Sequence, residues 1–280
     1  MKTIIFAFLG RRENIQLQMP YIRRVLDENP DVEYHAWDLS RTPEDHAYIQ
    51  SLTGERVTVM SQFYSGRNPW LGFNKVWKHY IGKQYRECTL VKLDDDVVFL
   101  ESPKFQSLVQ AAVDNPTSIV SAKVVNCGAC TETEPDLWQG FEALNMPLLD
   151  VHLSVDYADM CHRWFFDNWQ TVIGRDAVLM PTEDWLSINC IAFTWRMGYE
   201  IARRLERPAP KNIAGREFTP RNRVGDEGSV NMLPRLIHEG FVAAHLTFGP
   251  QEKAMTAGQL AEYRKMYGDI ARQYLADQES

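Results

Sequence analysis

The chain has 280 residues, 45% apolar and 24% charged, which suits one large α/β domain or two fused halves with an ample core and excludes a disordered chain. A net charge of −7 argues against a surface built throughout to hold nucleic acid, and no apolar run approaches the length of a membrane span. Five scattered cysteines, an odd number, fit a reducing, cytoplasmic setting better than a disulfide scaffold.

Thr3 to Leu9 reads as a first strand, because its apolar run is short for a signal peptide and Gly10-Arg11-Arg12-Glu13 follows with no small-residue cleavage site. Asn14 can cap a helix that carries Ile15, Met19, Ile22, Val25 and Leu26. Val32 to Leu39 is a second strand, and Thr42-Pro43-Glu44-Asp45 opens a short helix to Leu52. A third strand covers Arg56 to Met60, a loop runs through Ser65 to Pro69, and a helix follows from about Phe73 to Lys83. After the apolar run around residues 90–100, Ser102-Pro103 starts another helix, and Ser118 to Val125 makes a further strand. Strands alternating with helices predict an α/β fold with a Rossmann-like, mostly parallel sheet and helices on both faces. Ligands of such sheets bind beyond the carboxyl ends of the strands.

From Asn126 to about Arg175 the alternation stops and aromatic residues gather: Trp138, Phe141, Tyr157, Trp164, Phe165, Phe166 and Trp169. Such rings stack on sugars or pack a helix face, and packing is the commoner use. Trp185 to Phe193 reads as a strand leading into a helix. Arg203 to Arg223 then holds seven basic residues (Arg203, Arg204, Arg207, Lys211, Arg216, Arg221, Arg223) against Glu206 and Glu217, a local charge of +5 that can meet an anionic partner. Its prolines and Gly215 make Arg207 to Gly225 a long loop of the kind that serves as a lid. Asp226-Glu227 opens a helix through Ile237, and Phe241 to Phe248 is the last strand. Thr256 caps a final helix with Leu260, Tyr263, Met266, Ile270 and Tyr274 on one stripe.

The chemistry concentrates in Leu90 to Leu100, an apolar run broken by Asp94, Asp95 and Asp96. Three adjacent carboxylates repel one another and need a divalent cation or a hydrated cleft beside them. Hard oxygen ligands suit Mg²⁺ or Mn²⁺, ions that commonly bridge to a substrate's phosphates. On an extended segment Asp94 and Asp96 point the same way and Asp95 turns elsewhere. His245, alone in an apolar strand, is a packed core residue or, with the triplet, a further metal ligand. Two acidic pairs, Asp226-Glu227 and Glu183-Asp184, suit helix capping or a surface ion pair. Cys127 and Cys130 are half a zinc site by spacing, which Cys161 and His162 would have to complete; two ordinary thiols is the simpler reading.

The stretch Leu90-Val91-Lys92-Leu93-Asp94-Asp95-Asp96-Val97-Val98-Phe99-Leu100 resembles the D-x-D strand of nucleotide-sugar-dependent glycosyltransferases of the GT-A fold. Thr182-Glu183-Asp184-Trp185 is similar to the E-D pair of family 2 members, although a strand-like run follows it here where that family has an amphipathic helix. The resemblance implies a nucleotide-sugar (donor) half over residues 1–125, a variable acceptor-binding and catalytic half over 126–252, and a C-terminal helix over 253–280 packed on the body. It implies that Asp96 holds Mn²⁺ or Mg²⁺ most directly, with Asp94 helping and His245 as third ligand. Arg11, Asp38, Lys75, Asp94 and Asp95 then fall on the donor side. Asp226 is the preferred catalytic base, with Glu227 and Asp184 behind it. The implied reaction moves a sugar from a nucleoside-diphosphate donor, UDP favoured, to a hydroxyl acceptor. That acceptor is a glycan, a lipid-linked sugar, a protein or, given the basic segment, a modified nucleic acid such as hydroxymethylated DNA. Two other functions fit the triplet: a metal-dependent phosphohydrolase or nuclease, and a non-catalytic nucleotide-sugar binding module.

Overall fold

The computed structural model describes residues 1–278. The amino-terminal run forms β1 (Thr3–Leu9), α1 (Arg12–Glu28), β2 (Val32–Asp38), α2 (Pro43–Gln50), β3 (Val57–Met60), α3 (Trp70–His79) and β4 (Thr89–Asp94). The acids are the reversal between β4 and β5 (Val97–Leu100), after which come α4 (Phe105–Asp114) and β6 (Ile119–Val125). Four helices and strands of the middle segment follow: α5 (Gly128–Thr131), α6 (Pro135–Ala143), α7 (Val155–Val172) and β7 (Leu179–Thr182). The chain then makes β8 (Cys190–Thr194), α8 (Trp195–Ala202), β9 (Asn212–Ile213), β10 (Arg216–Glu217) and α9 (Asp226–Asn231). It ends in β11 (Arg235–His245), α10 (Gly249–Ala254) and α11 (Ala257–Asp277).

Nine strands form one sheet in the order β3-β2-β1-β4-β8-β6-β11-β5, with β7 also paired to β11. The sheet is mixed, which corrects the mostly parallel expectation. β1 to β4 run parallel and β6 runs parallel to β11, but β8 lies antiparallel between β4 and β6, and β5 and β7 are antiparallel to β11. The physical reason is local. A parallel neighbour needs a long crossover, whereas only Asp95 and Asp96 separate β4 from β5, so β5 must run back. Alternation of strand and helix predicts direction only where a crossover helix intervenes.

Both faces of the sheet are covered. Along β1, Ile5, Ala7 and Leu9 face a core shared with α1, α4, α7 and α11, while Ile4, Phe6 and Phe8 face one shared with α3, α8 and α9. The aromatic residues of α7 belong to the first core: Phe165 and Phe166 lie 5.9 and 5.0 Å from Tyr267, and Trp169 lies 6.1 Å from Tyr274. Each such ring contributes roughly 2 kcal/mol on burial, so α11 is tied to the body by its tyrosine stripe.

Several expected boundaries move, and the strand expected from Trp185 begins only at Cys190. The helix opened at Asp226 stops at Asn231, because Pro234 has no N–H to continue it, and β11 begins at Arg235, six residues before the expected Phe241. Residues 207–225 form a paired ribbon. Val224 N–H donates to Arg207 O (2.9 Å), Ala209 N–H to Asn222 O (3.1 Å) and Phe218 N–H to Lys211 O (2.8 Å). At its tip β9 and β10 join through Ala214 and Gly215, both with positive φ, the two-residue hairpin turn that glycine favours.

Candidate active site

The carboxyl ends of β1, β2, β4, β6 and β11 share one edge, since these strands point the same way. That geometry brings Arg11, Asp94, Asp95, Asp96 and His245 together. Arg11 precedes α1, and its guanidinium spans the acids: Nη2 lies 2.5 Å from Asp95 Oδ1 and 2.6 Å from Asp96 Oδ2, and Nη1 donates to Glu252 on α10 at 2.9 Å. Gly10 N–H adds a bond to Asp95 Oδ2 at 2.9 Å. Asp94 is served by other groups. Lys92 Nζ, only 2% exposed, donates to Asp94 Oδ1 (2.6 Å) and to Ile188 O (2.8 Å), and Asn189 Nδ2 donates to Asp94 Oδ2 (3.2 Å).

The protein thus sets a lysine and an arginine of its own against the three acids. Burial pushes the Asp96 carboxyl upward, but the Arg11 guanidinium and then His245 outweigh it and hold Asp96 well below the usual range. Burial prevails at Asp94 and is opposed by Lys92, so that carboxyl is raised.

His245 Nε2 stands 3.2 Å from Asp96 Oδ1 without the alignment of a hydrogen bond, and Asp96 Oδ1 is buried with no partner. A spacing of 3.2 Å is close to the ~3 Å between neighbouring ligands of an octahedral Mg²⁺ ion. Among the described residues no group of three or more His, Cys, Asp or Glu converges as a metal seat. Asp96 Oδ1 and His245 Nε2 are two donors at a spacing that would suit such an ion, while both oxygens of Asp94 are bonded, to Lys92 and to Asn189.

The strand end that carries His245 is fixed from behind. Asn126, in the left-handed conformation just past β6, donates to Gln251 Oε1 at 2.9 Å. Gln251 also bonds Val151 O, and His162 spends both ring nitrogens on Tyr267 and Leu246 O. His162 therefore has no nitrogen left for a zinc site with Cys127, Cys130 and Cys161, all of which are free, buried thiols.

The Phe248 ring, 4.5 Å from His245, forms one wall of a cleft lined by His152, Trp185, Ser187, Arg216 and Glu227. Arg216, on the ribbon, stacks over Trp185 at 4.1 Å and donates to Leu149 O. A neighbouring cavity of about 180 Å³ shares Leu148, Leu149 and Trp185 as walls and adds Glu183, Asp184, Ala214 and Gly215. The acidic neighbours Asp226 and Glu227 differ in freedom. Asp226 Oδ2 accepts from Trp77 Nε1 (3.0 Å) and Oδ1 from Glu227 N–H (2.9 Å), so both its oxygens are occupied. Glu227 faces the cleft, and burial, then repulsion from Asp226, push its carboxyl up to about 7. Asp184 opposes Glu132, whose carboxyl is pushed up to about 7 by burial and by that neighbour.

Two candidates lie apart from this cluster. Asp38, fully buried at the end of β2, has both oxygens filled by Ser40, His46 and Gln50, an arrangement that ties β2 to α2. Lys75 is exposed on α3 with its Nζ 5.9 Å from the Phe63 ring. Sequence reasoning missed Lys92, Asn189, Gln18, Asn126 and Glu252. Of these only Lys92 left a signal, a lysine in an otherwise apolar strand. Gln18 donates to Asp94 O (2.7 Å) and Val97 O (3.1 Å), pinning the acidic turn, but an amide on a helix face is unremarkable in sequence.

Compared with known proteins, the chain matches no protein-family model, and no curated protein matches it significantly. No helix among the described residues is long and apolar enough to cross a membrane.

Proposed function

We propose that the protein is a metal-dependent glycosyltransferase with a GT-A type arrangement, moving a sugar from a nucleoside-diphosphate donor to a hydroxyl acceptor. One observation carries the reading: Asp96 and His245, far apart in sequence, meet at the carboxyl edge with a buried carboxylate oxygen left unpartnered beside an imidazole nitrogen. Asp96 and His245 would hold Mn²⁺ or Mg²⁺, which when bound stabilises negative charge on a departing diphosphate. Arg11, 30% exposed and bonded to Asp95, Asp96 and Glu252, would offset the carboxylates that border the phosphates.

The acceptor would enter the cleft beside Trp185 and Arg216. Glu227, with its carboxyl near 7, is better matched than Asp226 to take a proton at neutral pH, and its oxygens are not committed to Trp77. In the displacement the acceptor oxygen bonds to the anomeric carbon and its proton passes to Glu227. The bond from that carbon to the diphosphate oxygen breaks, and its electron pair leaves with the nucleoside diphosphate. Ser187 and Trp185 border Glu227 and position the acceptor.

The test is incubation with a panel of UDP- and GDP-sugars plus Mn²⁺. Release of free nucleoside diphosphate is the expected product. Release of inorganic phosphate would instead identify a phosphohydrolase, and release of neither a binding module.

A further inference from the structure

The ribbon over residues 207–225 holds five basic residues and one acid in a chain whose net charge is −7. Arg207, Lys211, Arg221 and Arg223 are exposed, and no ion pair forms to any of them among the described residues. Elsewhere Arg11, Arg24, Arg163, Arg175, Arg264 and Arg272 each hold a carboxylate, while exposed Arg23 and Arg41 form no ion pair among the described residues and lie singly, so what sets the ribbon apart is the number of such cations on one short segment. Four like charges on one short ribbon repel one another, a cost that an incoming polyanion relieves.

The ribbon is also placed at an opening. Its tip, Ala214 and Gly215, lines the 180 Å³ cavity, and Arg216 lines the cleft that holds Glu227. Trp185 is common to both spaces, half-buried, with Phe218 of the ribbon 6.3 Å away. Exposed cations on one ribbon, beside a stacked Trp185–Arg216 pair and a cavity of about 180 Å³, are the combination that binds a phosphate backbone and takes one unstacked base. Glu183 and Asp184 line the cavity, where they can accept from base N–H groups while the cations outside meet the phosphates.

We propose that the ribbon docks a polynucleotide acceptor bearing a hydroxymethylated base, its phosphates on Arg207, Lys211, Arg221 and Arg223 and that base against the Trp185–Arg216 pair with its hydroxymethyl oxygen directed to Glu227. Naming the acceptor rests on the transferase reading; the docking itself does not, and it is measured without donor or metal.

Fluorescence anisotropy with labelled single-stranded and duplex DNA, read from about 50 to 200 mM salt, provides the measurement. The expected result is binding at low salt that is at least as tight for single strands as for duplex. The fourfold variant Arg207→Gln/Lys211→Gln/Arg221→Gln/Arg223→Gln should bind at least tenfold more weakly, with a salt slope shallower by about 3 to 4. Trp185→Ala should lose about tenfold toward single strands, and Arg23→Gln/Arg41→Gln, on exposed sites elsewhere, should bind as the parent does. The proposal is overturned by no binding at low salt, by an unchanged fourfold variant that retains its circular dichroism, or by a sulfated polysaccharide that binds as tightly as DNA. Failure to release nucleoside diphosphate in the donor assay would sink the transferase reading and leave these binding results standing.

Discussion

The turn after β4 and the ribbon over 207–225 handle charge in opposite ways. At the turn, Asp94, Asp95 and Asp96 are enclosed by cations the fold itself supplies, Lys92 and Arg11, and by the imidazole of His245. On the ribbon, four exposed cations form no ion pair among the described residues. Buried charge must be matched for the chain to fold, whereas exposed charge costs little and is free to be matched by something else. What each region has left over then points to a ligand: at the turn one carboxylate oxygen, on the ribbon a set of positive charges.

Removing a partner at the turn should therefore be severe. Arg11→Met strands Asp95 and Asp96 and is expected to cost about 3–5 kcal/mol in urea unfolding, the range for breaking a buried pair. A cost below about 1 kcal/mol would mean that water, not Arg11, compensates the acids. Glu227→Gln comes next and acts on the reaction: kcat should fall at least about 100-fold. In the parent, kcat/KM should rise with pH as Glu227 deprotonates through about 7, and that limb should vanish in the variant. The same group sets a stability trend. Its folded pKa lies above its unfolded one, so its contribution is intact below the ordinary carboxylate range and is lost as pH climbs toward 7; the glutamine variant should flatten that decline.

Lys92→Met should cost about 2 kcal/mol, less than Arg11→Met because Asp94 keeps Asn189 and some contact with water. Adding Asp94→Asn should recover part of the loss, a coupling that a double-mutant cycle measures. The fourfold ribbon variant is expected to change stability by no more than about 0.5 kcal/mol, although it removes more charge than any of the others. A larger loss there would erase the contrast between the two regions.

Much of the sheet was legible because strands such as Thr3–Leu9 and Ile119–Val125 are mostly apolar, as burial on both faces demands, with Ser121 and Lys123 the polar exceptions in the second. The tyrosine stripe of α11 was legible for the same reason, read at helical period. Strand direction was not. The reversal at β5 follows once the acids are seen to break the apolar run into two strands, whereas the antiparallel place of β8 between β4 and β6 depends on pairings made in three dimensions. At the site, the acids and His245 stood out as polar residues in apolar surroundings. Their neutralisation by Arg11 did not, since nothing in a sequence ties residue 11 to residue 95. The choice between Asp226 and Glu227 was equally hidden: adjacent residues on a helix point in different directions, and here Trp77 claims one of them.

The most direct test is calorimetric titration of UDP in the presence and absence of Mn²⁺ into the parent and into Asp96→Asn/His245→Ala. Manganese-dependent uptake of the nucleotide by the parent, lost in the double variant while Arg11 and Lys92 keep the fold intact, is the predicted result. Equal uptake of metal and nucleotide by both proteins would contradict it.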